Sequence, residues 1–185
     1  VRQEVQKLYN TPADKVRQMP CGYDQNIFKP QQVEKKALLK QLQLNIPFNS
    51  RLIIFVGSLS MTKGIDLLLK AATLLAKETS LHFLLIGSGD IKKIFTTTEI
   101  AAFALERVHF LGYQPPELLA KIHNIGHLAV LPSRSEGFGL ALLEAMACAR
   151  PVVTTAGHGA EEFAIGAIVA QLNPKLLAQA ILKIC

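Results

Sequence analysis

Two glutamates and a lysine carry most of the chemistry legible in this chain. Glu136 and Glu144 bracket a glycine-rich turn in Pro132-Ser-Arg-Ser-Glu136-Gly-Phe-Gly139-Leu-Ala-Leu-Leu-Glu144-Ala-Met-Ala. The turn follows the apolar run His127-Leu-Ala-Val-Leu131 and leads into an Ala/Leu-rich stretch, which reads as strand, loop and helix in succession. At such a junction the unpaired N–H groups of the first helical turn and the positive end of the helix dipole point into the loop, where a phosphate would be held. Glu136 belongs to the loop and Glu144 lies more than one turn inside the helix, so the two carboxylates are expected to face one ligand from two directions. Lys63, in Gly57-Ser-Leu-Ser-Met-Thr-Lys63-Gly64, adds a cation suited to the same ligand.

The pattern around these residues is regular from residue 51 onward. Leu52-Ile-Ile-Phe-Val56, Leu81-His-Phe-Leu-Leu-Ile86, Val108-His-Phe-Leu111, Leu128 to Leu131, Pro151-Val-Val-Thr154 and Ala167-Ile-Val-Ala170 read as six strands. Between them lie helical stretches. One opens at Gly64 with Ile65, Leu68, Leu69, Ala72, Leu75 and Ala76 on one face; others run through Thr96 to Leu105, from Pro115-Pro116, and from Pro174 to Ile184. Strands that are apolar throughout, alternating with helices, predict an α/β fold: a Rossmann-like, doubly wound parallel sheet covered on both faces. With the common strand order 3-2-1-4-5-6, strands one and four are neighbours. The Lys63 and Glu136 loops then meet in the crevice beyond their C-terminal ends. Residues 1–50 read as a leading, interdomain segment packing on this domain: a helix over Val1 to Tyr9, a short strand into a turn over Val16 to Asp24, and a surface helix over Gln32 to Leu44.

Composition bounds the rest. The 185 residues, half of them hydrophobic, suffice for one buried core. No apolar run approaches roughly eighteen residues and no signal-peptide pattern opens the chain. It begins at Val1 and stops at Cys185 within an apolar helical pattern, and so reads as a piece of a longer protein. Cys21, Cys148 and Cys185 share no metal-ligand spacing, which favours thiols in a reducing compartment, hence the cytoplasm. The net charge of +6 comes from scattered residues without aromatic interleaving; nucleic acid is therefore not expected as a partner. The bulk charge would suit a parent lying peripherally at an anionic membrane.

Several ligands are excluded by spacing. The Lys63 loop has no glycine before the lysine and no Ser or Thr after it, so it is not a P-loop. Gly87-Ser-Gly89 lacks the third glycine of the dinucleotide fingerprint. No Asp-x-Asp offers to hold a divalent cation. A lysine and a helix N-terminus remain, a pair able to neutralise a pyrophosphate without a metal.

The stretch from Glu136 to Glu144 resembles the E-x7-E motif of the retaining glycosyltransferases of family 4. The likeness extends, in order along the chain, to Pro20-Cys-Gly-Tyr-Asp24, Val56 to Gly64, Val108-His-Phe-Leu-Gly112-Tyr113 and Pro151-Val-Val-Thr. It implies the C-terminal, donor-binding half of a GT-B enzyme, whose acceptor site would lie on an absent N-terminal domain. It further implies a nucleotide-diphosphate sugar (UDP-, GDP- or ADP-linked) as donor, with no metal or other cofactor, and an acceptor sugar, lipid or other molecule that the sequence does not name. By the same resemblance, Glu144 would bind the ribose hydroxyls, and Phe138, Gly139 and Leu140 would offer backbone amides to the diphosphate and sugar. Glu136 would hold sugar hydroxyls near the anomeric carbon, Lys63 would pair with the departing diphosphate, and the base would rest against Gly112-Tyr113.

Two departures from the family pattern are visible. Ser58 stands where the family commonly has an arginine, leaving Lys63 and the helix to carry the diphosphate, or Arg134 to help from the next loop, or the site weak. Gly157-His-Gly-Ala-Glu161-Glu-Phe163 resembles the family's G-G-x-x-E segment, with a shortened stretch to Gly166; His158 there is a weaker candidate for touching the donor. His82, His109, His123 and His127 read as structural. A non-catalytic sugar-nucleotide-binding module and a GT-B sugar-nucleotide epimerase are the alternatives.

Overall fold

The computed structural model describes residues 2–17, 21–155 and 168–185. Among them six strands, β1 (Arg51–Val56), β2 (Leu81–Ile86), β3 (Val108–Gly112), β4 (Leu128–Leu131), β5 (Val152–Thr155) and β6 (Ile168–Ala170), form one sheet in the order β3-β2-β1-β4-β5-β6. All the pairings are parallel, as the apolar runs predict. The helices are α1 (Arg2–Tyr9), α2 (Lys35–Gln41), α3 (Ile65–Leu74), α4 (Thr97–Ala101), α5 (Pro116–Ile125), α6 (Leu140–Ala147) and α7 (Pro174–Ile184).

Successive residues of the central strands feed opposite cores, the period of two inherent in a strand. Ile53, Phe55, Phe83 and Leu85 pack with Leu68 and Leu69 of α3 and with Leu177 and Ile181 of α7. Leu52, Ile54, Leu84 and Ile86 pack with Leu119 and Ile122 of α5 and with Leu38 and Leu39 of α2. Both faces are covered, which is why β1, β2 and β4 carry no polar alternation. The edge strand β3 departs from this pattern, because Phe110 and its neighbours have sheet on one side only and are partly exposed.

Four local expectations are corrected. The stretch over Gln32 to Leu44 is helical only from Lys35 to Gln41, capped by the Glu34 carboxylate, and it is more than a surface helix because Leu38 and Leu39 are buried. No strand forms over the described part of Val16 to Asp24; residues 18–20 lie outside the described residues. The Thr96-Thr97-Thr98 run does not continue one helix to Leu105. Thr96 and Glu99 form a capping box that starts the short α4, the role a threonine fills better than a helix interior. Finally, α3 buries more than one face, Asp66 and Leu67 included, because α7 packs against it as well as the sheet.

The leading segment is tied to the domain. Phe28 and Ile46 enter the α5 side of the core. Asn124 of α5 accepts from the Gln31 amide at 2.8 Å and donates to the Lys29 carbonyl at 3.0 Å.

Candidate functional site

Strands β1 and β4 are neighbours whose crossover connections lead away in opposite directions, to β2 and to β5. Their C-terminal ends therefore open the crevice at which α/β sheets bind ligands. Each strand ends in a loop that a glycine makes possible. At Gly64, the N-cap of α3, φ is +72°, and a Cβ would lie 1.9 Å from the Pro132 carbonyl oxygen of the β4–α6 loop. Only glycine lets the two loops approach so closely. Gly139 caps α6 with φ +80° and brings no capping side chain. The first amides of α6 therefore stay open towards the cavity that Gly139, Leu140 and Ala141 line.

That cavity, about 400 Å³, is lined by Val56 and Gly57 from β1 and its loop, Lys63, Leu131, Glu136, Phe138 and the first turns of α6 as far as Glu144, with Cys21 closing one side. A larger cavity of about 580 Å³ lies between α3 and α4, but its lining is chiefly apolar, with Leu74, Ile94, Phe95 and Phe103. The smaller crevice is the one in which the lysine and both glutamates converge.

The carboxylate of Glu136 is held from three sides. Lys63 Nζ lies 2.6 Å from Oε2, the fully buried Ser133 hydroxyl donates to Oε2 at 3.4 Å, and the Gly137 amide donates to Oε1 at 3.2 Å. Among the described residues Glu144 has no such partner; burial pushes its carboxyl up to about 6. A half-buried carboxylate without a counter-charge gains most from the hydroxyl donors of a ligand.

Of the residues singled out from sequence, the structure brings Lys63, Glu136, Phe138, Gly139, Leu140 and Glu144 to one cavity. Ser58 is not among its lining residues; it is exposed, with its hydroxyl 3.1 Å from that of Ser60. Tyr113, 74 % exposed, follows β3 and stands two strands away from β1. Arg134 does not turn to the cavity. Its guanidinium donates to both carboxylate oxygens of Asp66, at 2.6 and 2.7 Å, and to the Met61 carbonyl at 2.6 Å. Asp66 is only 4 % exposed and takes up the cation expected to help with a diphosphate. His158 and the segment from Gly157 to Gly166 lie outside the described residues.

Cys21 and Asp66 were not singled out from sequence. Cys21 belongs to the Pro20-Cys-Gly-Tyr-Asp24 likeness, which was signal enough to place it near the crevice. An aspartate in the first turn of a helix is too ordinary to announce a buried partnership.

The four described histidines are structural. Leu52 N–H donates to His127 Nδ1 at 3.2 Å, and His82 Nδ1 and His109 Nε2 share a hydrogen bond of 3.0 Å at the sheet end remote from the crevice. His123 is fully buried with neither ring nitrogen bonded, and burial holds it down at about 4. Among the described residues no helix is long and apolar enough to cross a membrane.

A family model described as glycosyl transferases group 1 matches residues 50–185. The D-inositol 3-phosphate glycosyltransferase of Corynebacterium jeikeium is 32% identical over 169 residues, 85% of this chain and 40% of that protein. The sucrose-phosphate synthase structure from Thermosynechococcus elongatus superposes with a TM-score of 0.81 at 28% identity, covering 99% of this chain and 47% of that one. The Anabaena protein HepE, solved in complex with UDP-glucose, superposes with a TM-score of 0.69 at 25% identity over 88% of this chain and 45% of that one. The chain spans less than half the length of the curated relatives it matches.

Proposed function

Since the chain belongs to the glycosyl transferases group 1 family, we propose that it is the C-terminal, donor-binding half of a retaining, metal-independent glycosyltransferase of family 4. In this reading the parent transfers a hexosyl group from a nucleotide-diphosphate sugar, and the acceptor binds on an N-terminal domain outside this chain, so that the chain alone transfers little. The observation that carries the reading is the convergence of Lys63, Glu136, Glu144 and the open N-terminus of α6 on one crevice at the β1/β4 switch point. The UDP-glucose bound by HepE supports a nucleotide sugar as donor.

The chemistry assigns the roles. When the bond from the anomeric carbon to phosphate breaks, the electron pair leaves with the nucleoside diphosphate, and the sugar acquires oxocarbenium character. The α6 amides and Lys63 stabilise the first charge, and the Glu136 carboxylate the second. The acceptor hydroxyl then bonds to the anomeric carbon and passes its proton to the departing diphosphate oxygen. Glu144, inside α6, accepts from the ribose hydroxyls. The strand that Tyr113 follows, β3, lies two strand spacings from β1, about 10 Å, a distance a nucleoside can bridge to lay its base there. A metal-free mechanism is supported by this cation and helix terminus, a pair able to neutralise the charge of a departing diphosphate.

The test is a pair of substitutions in the full-length enzyme. Glu136→Ala is expected to lower turnover by about 10²–10³ while donor binding largely survives, and Glu144→Ala chiefly to weaken donor binding. Undiminished turnover in Glu136→Ala would remove that residue from the mechanism and favour a non-catalytic sugar-nucleotide-binding module.

A further inference from the structure

Lys63 and Glu136 sit on different loops, so their 2.6 Å contact requires something that fixes one loop against the other. The bonds between the loops centre on Arg134. Its amide donates to the Thr62 carbonyl at 2.8 Å, one guanidinium nitrogen donates to the Met61 carbonyl at 2.6 Å, and the fork grips the buried Asp66 carboxylate. Met61 and Thr62 immediately precede Lys63, and Asp66 follows three residues later. Arg134 therefore holds the backbone on both sides of the lysine. Glu136 is two residues beyond Arg134, a span too short to take up much movement.

We propose that Asp66 and Arg134 form a clasp that sets the spacing of Lys63 and Glu136, acting as positioning residues for the donor site; the inference rests on the function proposed above. A bidentate guanidinium–carboxylate pair fixes direction as well as distance, which a lysine in the same place would not. Burial alone would raise the Asp66 carboxyl, but the bonds and charge of Arg134 outweigh it and leave the group below its ordinary value, ionised throughout the neutral range. The clasp explains why this arginine does not serve as a diphosphate cation: it holds the loop that carries Lys63.

Acetylation of lysines, followed by mass spectrometry on the chain itself, tests the clasp without any ligand. Lys35, held by the carbonyls of Phe48 and Ser50 at 2.8 and 2.5 Å, reports on loosening elsewhere. In Arg134→Ala, and in Arg134→Lys should the alanine variant not fold, Lys63 is expected to label several-fold faster with Lys35 unchanged. An unchanged Lys63 rate, or Lys63 and Lys35 accelerating together, would overturn the clasp. A second arm measures UDP-glucose binding: Arg134→Lys should weaken it several-fold in the wild-type background and add nothing to Lys63→Met, whereas equal losses in both backgrounds would contradict a role acting through Lys63. A wild-type chain that bound no nucleotide sugar at all would bring down the donor reading alone, since the labelling arm decides the clasp.

Discussion

Glu144 is where a single residue can report on the site. A carboxyl raised to about 6 by burial must be ionised to accept well from ribose hydroxyls. Protons therefore compete with donor below that pH, and affinity falls by up to about tenfold for each further unit. The expected profile of donor affinity is flat above pH 7 and declines below 6, and Glu144→Gln should be weaker at pH 7 but flat throughout; calorimetric titration at several pH values measures both. Legibility at this scale was uneven. Glu136, Glu144 and Lys63 could be read because their residue types and motif spacing announce them. The partnership of Asp66 with Arg134 could not, since it spans 68 residues and depends on a burial that exists only once the loops after β1 and β4 have met.

At the scale of the elements, the site depends on how closely two loops approach. Gly64→Ala would place a methyl group against the Pro132 carbonyl at a positive φ. It should cost more than the ~1–3 kcal/mol of backbone strain alone and abolish donor binding. Gly112→Ala makes the informative comparison. Its φ is also positive, at +65°, but nothing lies within 4 Å of the added carbon, so only the left-handed penalty of about 1–2 kcal/mol applies. Thermal unfolding of the two variants should rank them in that order; equal losses would mean that the Gly64–Pro132 contact does not join the loops. The strand order and the position of the crevice were legible from the alternation of apolar runs and helices, because a doubly wound sheet has few ways to arrange them. The end of the Thr96 helix was not. Three threonines fit either a poor helix or a cap, and the extended backbone at Thr96 with its reciprocal bonds to Glu99 decides between them.

For the molecule as a whole, acid is the revealing stress. His123 is fully buried, unbonded and held at about 4, whereas the unfolded chain protonates near 6.5. The unfolded state thus binds the extra proton between those values. The fold keeps its full stability from this group above pH 6.5 and loses it progressively towards pH 4, by about 3 kcal/mol. Glu144 works in the opposite sense over part of the same window, so the comparison must isolate the histidine. Denaturant unfolding of His123→Leu should show about that much less loss between pH 6.5 and 4 than the wild type, and parallel profiles would contradict it. That His123 is structural was legible from its place in an apolar helix, but its lack of a hydrogen-bond partner among the described residues was not, since that depends on α5 lying against Phe28 and the leading segment.

The central claim is that the β1/β4 crevice binds a nucleotide sugar through the carboxylate in α6. Its most direct test is a titration of this chain with UDP-, GDP- and ADP-sugars, with NAD as control, repeated on Glu144→Ala. One nucleotide sugar is expected to bind, NAD not to, and the variant to lose most of that affinity. Binding that survives unchanged in Glu144→Ala, or NAD binding as well as any sugar nucleotide, would contradict it.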